Sequence, residues 1–85
     1  MTETEIISRT NAALAQEFEL DPEAMVPAAD LREDLGLDSL DAVDMVIVLE
    51  QEFGVKISKE SAIGDIRSLG DLYAFIAGVQ EKQKQ

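Results

Sequence analysis

The sequence contains no cysteine and no histidine. The missing cysteines exclude a disulfide framework, and they also exclude a thiolate that belongs to the chain itself. The missing histidines exclude the Ser–His and Cys–His pairs that activate nucleophiles, and with the cysteines they remove most zinc sites. We therefore predict that the protein is not an enzyme and has no dedicated metal site.

Basic residues are scarce, because 7 lysines and arginines stand against 18 acids and give a net charge of −11. This charge would repel nucleic acid and anionic membrane surfaces. No apolar run is long enough to insert into a membrane, and the acidic N-terminus lacks the basic region of a signal peptide. We expect a cytoplasmic monomer whose partners include no nucleic acid.

The acids are unevenly distributed along the chain. Seven of them lie between Arg32 and Lys56, and that interval contains no base. Such a block favours protein partners that carry basic patches, with association that is fast and sensitive to salt.

Apolar residues recur at helical spacing in several segments, and no segment alternates as a half-buried strand does. With 85 residues the chain is expected to form one domain over 1–85. The fold class predicted is all-α: a four-helix bundle with three longer helices, one short third helix and a long first loop. The helices are expected roughly over residues 3–18, 38–53, 59–65 and 69–80.

The long first loop, residues 19–37, contains two prolines that break helical structure. Ile57, in the extended stretch after the second helix, is expected to enter the core. The last helix is expected to begin with a capping box at Ser68 and Asp71. The apolar residues of the loop are predicted to pack on the core: Leu20, Met25, Val26, Leu31 and Leu35.

The second predicted helix has apolar residues on two sides. Its core side is expected to consist of Ala42, Val46, Leu49 and Phe53, with Met45 at the edge. The other side, called the outer face below, combines three apolar residues with three acids: Leu40, Val43 and Ile47 with Asp41, Asp44 and Glu50. An exposed apolar stripe bordered by charge is typical of a partner site. The alternative is a wide core face in which Val43 and Ile47 pack against the short helix.

Ser39 lies at the start of this helix, where serine is a common N-cap. Asp38 caps at least as well, and with Asp41 three residues later it resembles a capping box. If Asp38 is the cap, the Ser39 hydroxyl has no backbone role and can project from a helix N-terminus. The free N–H groups and the dipole of that end favour an attached phosphate.

The stretch from Glu33 to Leu40 reads E-D-L-G-L-D-S-L, and it is followed by an acidic helix that ends in E-Q-E-F and by G-V-K-I-S. This pattern resembles the acyl carrier protein family. The resemblance covers nearly the whole chain, because it includes the first helix, the proline-containing loop and the final helix. The resemblance implies that a dedicated transferase esterifies Ser39 with 4′-phosphopantetheine from coenzyme A. The thiol of that arm then carries acyl groups as thioesters in fatty-acid or related biosynthesis.

The resemblance also implies how partners bind and where the cargo goes. Basic patches on synthases would meet Asp38, Asp41, Asp44 and Glu50, while Leu40, Val43 and Ile47 fill apolar contacts. A growing acyl chain would be sheltered inside the bundle near Val46, Leu49 and Ile66. The region around Gly64 is one residue longer than the commonest fatty-acid pattern, which is compatible with a specialised carrier. Alternatives are a peptidyl or D-alanyl carrier, or an acidic helical interaction module that is never modified.

Overall fold

A computed structural model of the protein describes residues 2–57 and 66–83. These residues form three α-helices, α1 (Glu3–Phe18), α2 (Ser39–Phe53) and α3 (Leu69–Gln83), and a short 3₁₀ helix over Pro22–Ala24. Within these two ranges there is no β-strand, and only an isolated bridge joins Asp30 to Ser68. The protein is therefore all-helical over the described ranges. The predicted short helix over 59–65, with Gly64, lies outside them.

The ends of the helices follow the capping residues in the sequence. The Thr2 hydroxyl accepts a hydrogen bond from the Glu5 N–H, and the Glu5 carboxylate accepts one from the Thr2 N–H. At the start of α3 the Ser68 hydroxyl accepts from the Asp71 N–H at 3.2 Å, and the Asp71 carboxylate accepts from the Ser68 N–H at 3.3 Å. Gly54 ends α2 in the left-handed conformation, with φ 64°. α3 continues to Gln83, beyond the predicted end at residue 80.

The core is formed by apolar side chains from all three helices and from the connections between them. On α2 the buried face is centred on Met45, Val46 and Leu49, while Ala42 and Phe53 are half-buried. Met45 was expected at the edge of this face, but only 2% of it is exposed. Its long unbranched side chain can reach into the core from a position where a shorter residue could not.

The first loop packs on the core as predicted, except for Val26. Met25 and Leu31 are buried, and Leu20 and Leu35 pack against the core with part of their surface exposed. The prediction for Val26 is wrong, since 48% of this residue is exposed. The chain turns there, with the Ala29 N–H donating to the Val26 carbonyl, and the neighbouring Met25 takes the inward position.

Backbone hydrogen bonds attach the first loop to the beginning of α3. The Leu69 N–H donates to the Ala29 carbonyl at 3.0 Å, and the Gly70 N–H donates to the Pro27 carbonyl at 2.9 Å. These two donors lie in the first turn of α3, where an α-helix leaves its N–H groups without internal partners. A Cβ at position 70 would lie 3.1 Å from the Pro27 oxygen, so glycine permits the close approach. The long loop is therefore an ordered part of the fold.

Arg9 of α1 supplies a positive charge at the C-terminal end of α2, whose last turn contains no base. Its Nε donates to the Glu52 carboxylate at 2.8 Å, and its Nη2 donates to the Glu52 carbonyl at 2.6 Å. The guanidinium also lies 5.2 Å from the centre of the Phe53 ring. A cation at this end offsets the negative end of the helix dipole and bonds one of its free carbonyls. Arg9 therefore joins α1 to α2.

Thr10 is a buried polar residue of α1, and its hydroxyl has no hydrogen-bond partner among the described residues. The residue lies between Ile6 and Leu14 on the buried side of α1. An unsatisfied buried hydroxyl destabilises a fold, and valine has nearly the same shape without the polar atom.

We predict that Arg9→Ala lowers the free energy of unfolding by about 1–2 kcal/mol, because a charge-assisted bond to a helix end is lost from a half-exposed site. Arg9→Lys should lose part of this amount, since lysine keeps the charge but not the planar fork. Urea unfolding measures both changes. Arg32→Ala removes the same charge from an exposed position. An equal loss in that control would show that net charge alone is responsible.

We predict that Thr10→Val raises the free energy of unfolding by about 1 kcal/mol, because the unsatisfied hydroxyl is removed. Thr10→Ser, which keeps the hydroxyl and loses a methyl group, should lower the same quantity by about 1 kcal/mol. Thermal or urea unfolding of both variants checks the signs. A Thr10→Val protein less stable than wild type would contradict the assignment of Thr10 as unsatisfied.

Candidate functional site

The N-terminus of α2 is defined by Asp38. Its Oδ1 accepts hydrogen bonds from the Leu40 N–H at 2.9 Å and from the Asp41 N–H at 3.0 Å. The Asp41 carboxylate accepts in return from the Asp38 N–H at 3.1 Å. Asp38 is thus the N-cap in a complete capping box, and Ser39 is the first residue of the helix. The alternative in which Ser39 caps α2 is wrong.

The same hydrogen bonds keep Asp38 charged. The N–H groups of Asp41 and then Leu40 stabilise the carboxylate and hold the pKa of Asp38 below its usual range. The cap therefore keeps its charge to a lower pH than an ordinary aspartate does, and this charge lies at the positive end of the helix dipole.

The turn that leads into α2 is fixed by Asp30 and Asp34. The Asp34 carboxylate accepts from the Asp30 N–H at 2.7 Å, and the Asp30 carboxylate accepts from the N–H groups of Arg32 and Glu33, each at 2.8 Å. Gly36 takes a positive φ of 72°, a conformation that glycine adopts without strain. Leu37 then enters the core directly before the cap. The hydrogen-bonded turn and the buried Leu37 side chain thereby hold the segment that leads into α2.

The outer face of α2 is open to solvent at its three apolar residues. The exposed fraction is 77% for Leu40, 48% for Val43 and 40% for Ile47. Val43 and Ile47 are therefore not buried as core residues are. The short helix against which the alternative would pack them lies outside the described residues. Exposed apolar side chains that form a continuous stripe are unusual on a protein without a partner.

The three acids of the outer face have different surroundings. Asp44 is exposed, and no hydrogen bond to its side chain is found within residues 2–57 and 66–83. Asp41 is half-buried and belongs to the capping box. Glu50 is also half-buried, and its Oε2 accepts from the backbone N–H of Ile57 at 2.8 Å. This bond could not be predicted from the sequence, since no local pattern relates residues 50 and 57.

Other kinds of site find no support in the described part of the chain. No group of three or more acidic side chains in it is arranged to hold a metal ion. In the same ranges, no helix has the length and apolar character that a membrane span requires.

Comparison with known proteins places this site in a family. A family model described as "Phosphopantetheine attachment site" matches residues 11–76. An "Acyl carrier protein" of Thermosynechococcus vestitus is 41% identical over 76 residues, which cover 89% of this chain and 93% of the relative. An "Acyl carrier protein 2" of Ralstonia nicotianae is 42% identical over 72 residues, covering 85% of this chain and 88% of that one.

The lowered pKa of Asp38 predicts how the start of α2 responds to acid. A carboxyl whose pKa is lower in the folded than in the unfolded state stabilises the fold above the unfolded pKa. That contribution is lost as the pH falls through the folded pKa. In an NMR titration, the Asp38 carboxyl and the amide signals of Leu40 and Asp41 should share one midpoint below the ordinary aspartate range.

Asp38→Asn is the matched control, because asparagine caps helices about as well but does not titrate. In this variant the Leu40 and Asp41 amides should show no common acid transition. A wild-type midpoint at or above the ordinary aspartate pKa would contradict the role given to the capping bonds.

Proposed function

The chain belongs to the acyl carrier protein family, and we propose that it carries acyl intermediates of fatty-acid or related biosynthesis on 4′-phosphopantetheine attached to Ser39. The observation that carries the proposal is the start of α2, where Asp38 takes the capping role and Ser39 is the first helical residue. When attached, the arm supplies a thiol that holds acyl groups as thioesters. The protein is a carrier and not a catalyst.

The residues around Ser39 fit an attached phosphodiester arm. The neighbouring Asp38 is exposed, and Leu40 is the most exposed large apolar residue of the described ranges. An enzyme that adds the arm can therefore approach this end of the helix without unfolding it. The helix dipole favours a negative group at the attachment point, which offsets repulsion from the nearby carboxylates. The absence of cysteine agrees with a thiol that is added after synthesis.

The proposed partners are a phosphopantetheinyl transferase and acyl-processing enzymes that present basic patches. Charge complementarity supports this choice, because the protein has a net charge of −11 and no base between Arg32 and Lys56. Asp38, Asp41, Asp44 and Glu50 would attract and orient such a partner. Leu40, Val43 and Ile47 would then supply the apolar contact area.

The proposal extends to the domain organisation, the oligomeric state and the cellular location of the protein. We propose that residues 1–85 form one acyl-carrier-type domain with a short helix between α2 and α3, acting as a cytoplasmic monomer. The matched family region spans 11–76 and so includes parts of all three helices. Val46, Leu49 and Ile66 belong to the core or pack against it, so an acyl chain that enters the bundle would meet them.

Incubation with coenzyme A and a phosphopantetheinyl transferase should increase the intact mass of the protein by one phosphopantetheine. Ser39→Ala should show no increase, because the hydroxyl that forms the phosphodiester is missing. Circular dichroism of the variant provides the folding control, since Asp38 still caps α2.

An unmodified wild type would overturn the proposal and favour an interaction module that is never modified. An equal mass increase in Ser39→Ala would place the attachment elsewhere. Peptidyl and D-alanyl carriers would accept the same arm, and the mass of the loaded thioester distinguishes them from a fatty-acyl carrier.

A further inference from the structure

Glu50 is part of the outer face of α2, and its carboxylate also bonds the backbone of Ile57. Val43, Ile47 and Glu50 are four and three residues apart, so they lie along one side of α2. A partner that covers the two apolar residues therefore reaches the Glu50 carboxylate. The same carboxylate accepts the hydrogen bond from the Ile57 N–H at 2.8 Å.

Residues 55–57, called the link below, follow the end of α2 and pack on the core. The chain reverses at Gly54, Val55 packs against the core, and the Ile57 side chain is buried in it. Ile57 makes both contacts at once, because its N–H donates to Glu50 while its side chain is buried in the core. The orientation of an acid on the outer face thus depends on whether the link is packed on the core.

We propose that Glu50 is a positioning residue through which binding of a partner's arginine or lysine and packing of Ile57 in the core reinforce each other. The inference rests on the proposed function, in which the outer face binds basic partners. A carboxylate has two oxygens with several acceptor sites, so Glu50 can accept the Ile57 N–H and a partner's cation together. The partner chemistry required is a cationic side chain beside an apolar surface.

The physical basis is the flexibility of glutamate. A free glutamate loses considerable rotamer entropy when a partner fixes it. In this protein the Ile57 N–H fixes the side chain before the partner arrives. Thermodynamic linkage makes the effect reciprocal. If packing of the link on the core raises the affinity for the partner by some factor, binding of the partner raises the equilibrium constant for packing of the link by the same factor. Asp44, without such a bond, contributes charge alone.

Hydrogen exchange at the Ile57 amide tests the proposal. The exchange is followed by NMR in unmodified protein, alone and with saturating phosphopantetheinyl transferase, in the absence of coenzyme A. In wild type the transferase should slow exchange at Ile57 by about fivefold or more. Asp44→Asn should weaken transferase binding but keep this slowing at saturation. Glu17→Gln, which removes an exposed charge on α1, should behave as wild type.

Two variants of Glu50 separate positioning from charge. Glu50→Ala should speed Ile57 exchange in the free protein, because the acceptor is lost. Glu50→Gln keeps an acceptor and should restore slow exchange in the free protein. It should also bind the transferase more weakly and lose the further slowing, because the side chain has no charge.

Unchanged or faster Ile57 exchange in the saturated wild-type complex would overturn the inference. Equal slowing in Glu50→Gln would overturn it as well, since the partner would then protect Ile57 by covering it. Neither result affects the proposed function, which depends on modification of Ser39 in the mass experiment. A wild-type protein to which the transferase adds no phosphopantetheine would contradict the proposed function.

Discussion

The capping of α2 by Asp38 is the interaction on which the rest of the site depends. Two N–H groups bond its carboxylate, and the Asp41 side chain completes the box. This arrangement makes Ser39 the first residue of α2. Because these bonds lower the pKa of Asp38, the cap keeps its charge to a lower pH than an ordinary aspartate does.

The two sides of α2 have different surroundings. Met45, Val46 and Leu49 are buried, whereas Leu40, Val43 and Ile47 remain exposed beside acids. At the far end of the helix, Arg9 of α1 donates to the Glu52 carbonyl, and the Glu50 carboxylate accepts the Ile57 N–H. A helix anchored at both ends can present an attachment point and a partner surface without support from that surface.

Features with a local pattern could be predicted from the sequence, while features that join distant residues could not. The capping boxes at Asp38 and Ser68 and the exposed outer face follow from residues spaced three or four apart. The end of α2 follows from the glycine at position 54. The Arg9–Glu52 pair and the bonds between the first loop and α3 are long-range, and no local spacing in the sequence relates their partners. Val26 was wrongly predicted because two adjacent apolar residues at a turn cannot both face the core. The choice of Ser39 as attachment site came from the family resemblance, since a spare hydroxyl does not name its ligand.

The central claim is that Ser39, the first residue of the helix that Asp38 caps, is the one residue that receives the arm. Fragment mass spectrometry after treatment with coenzyme A and transferase tests this most directly, because the chain contains four other serines: Ser8, Ser58, Ser61 and Ser68. The account predicts that the added mass lies only on fragments that contain Ser39. Added mass on a fragment without Ser39, or on none, would contradict it.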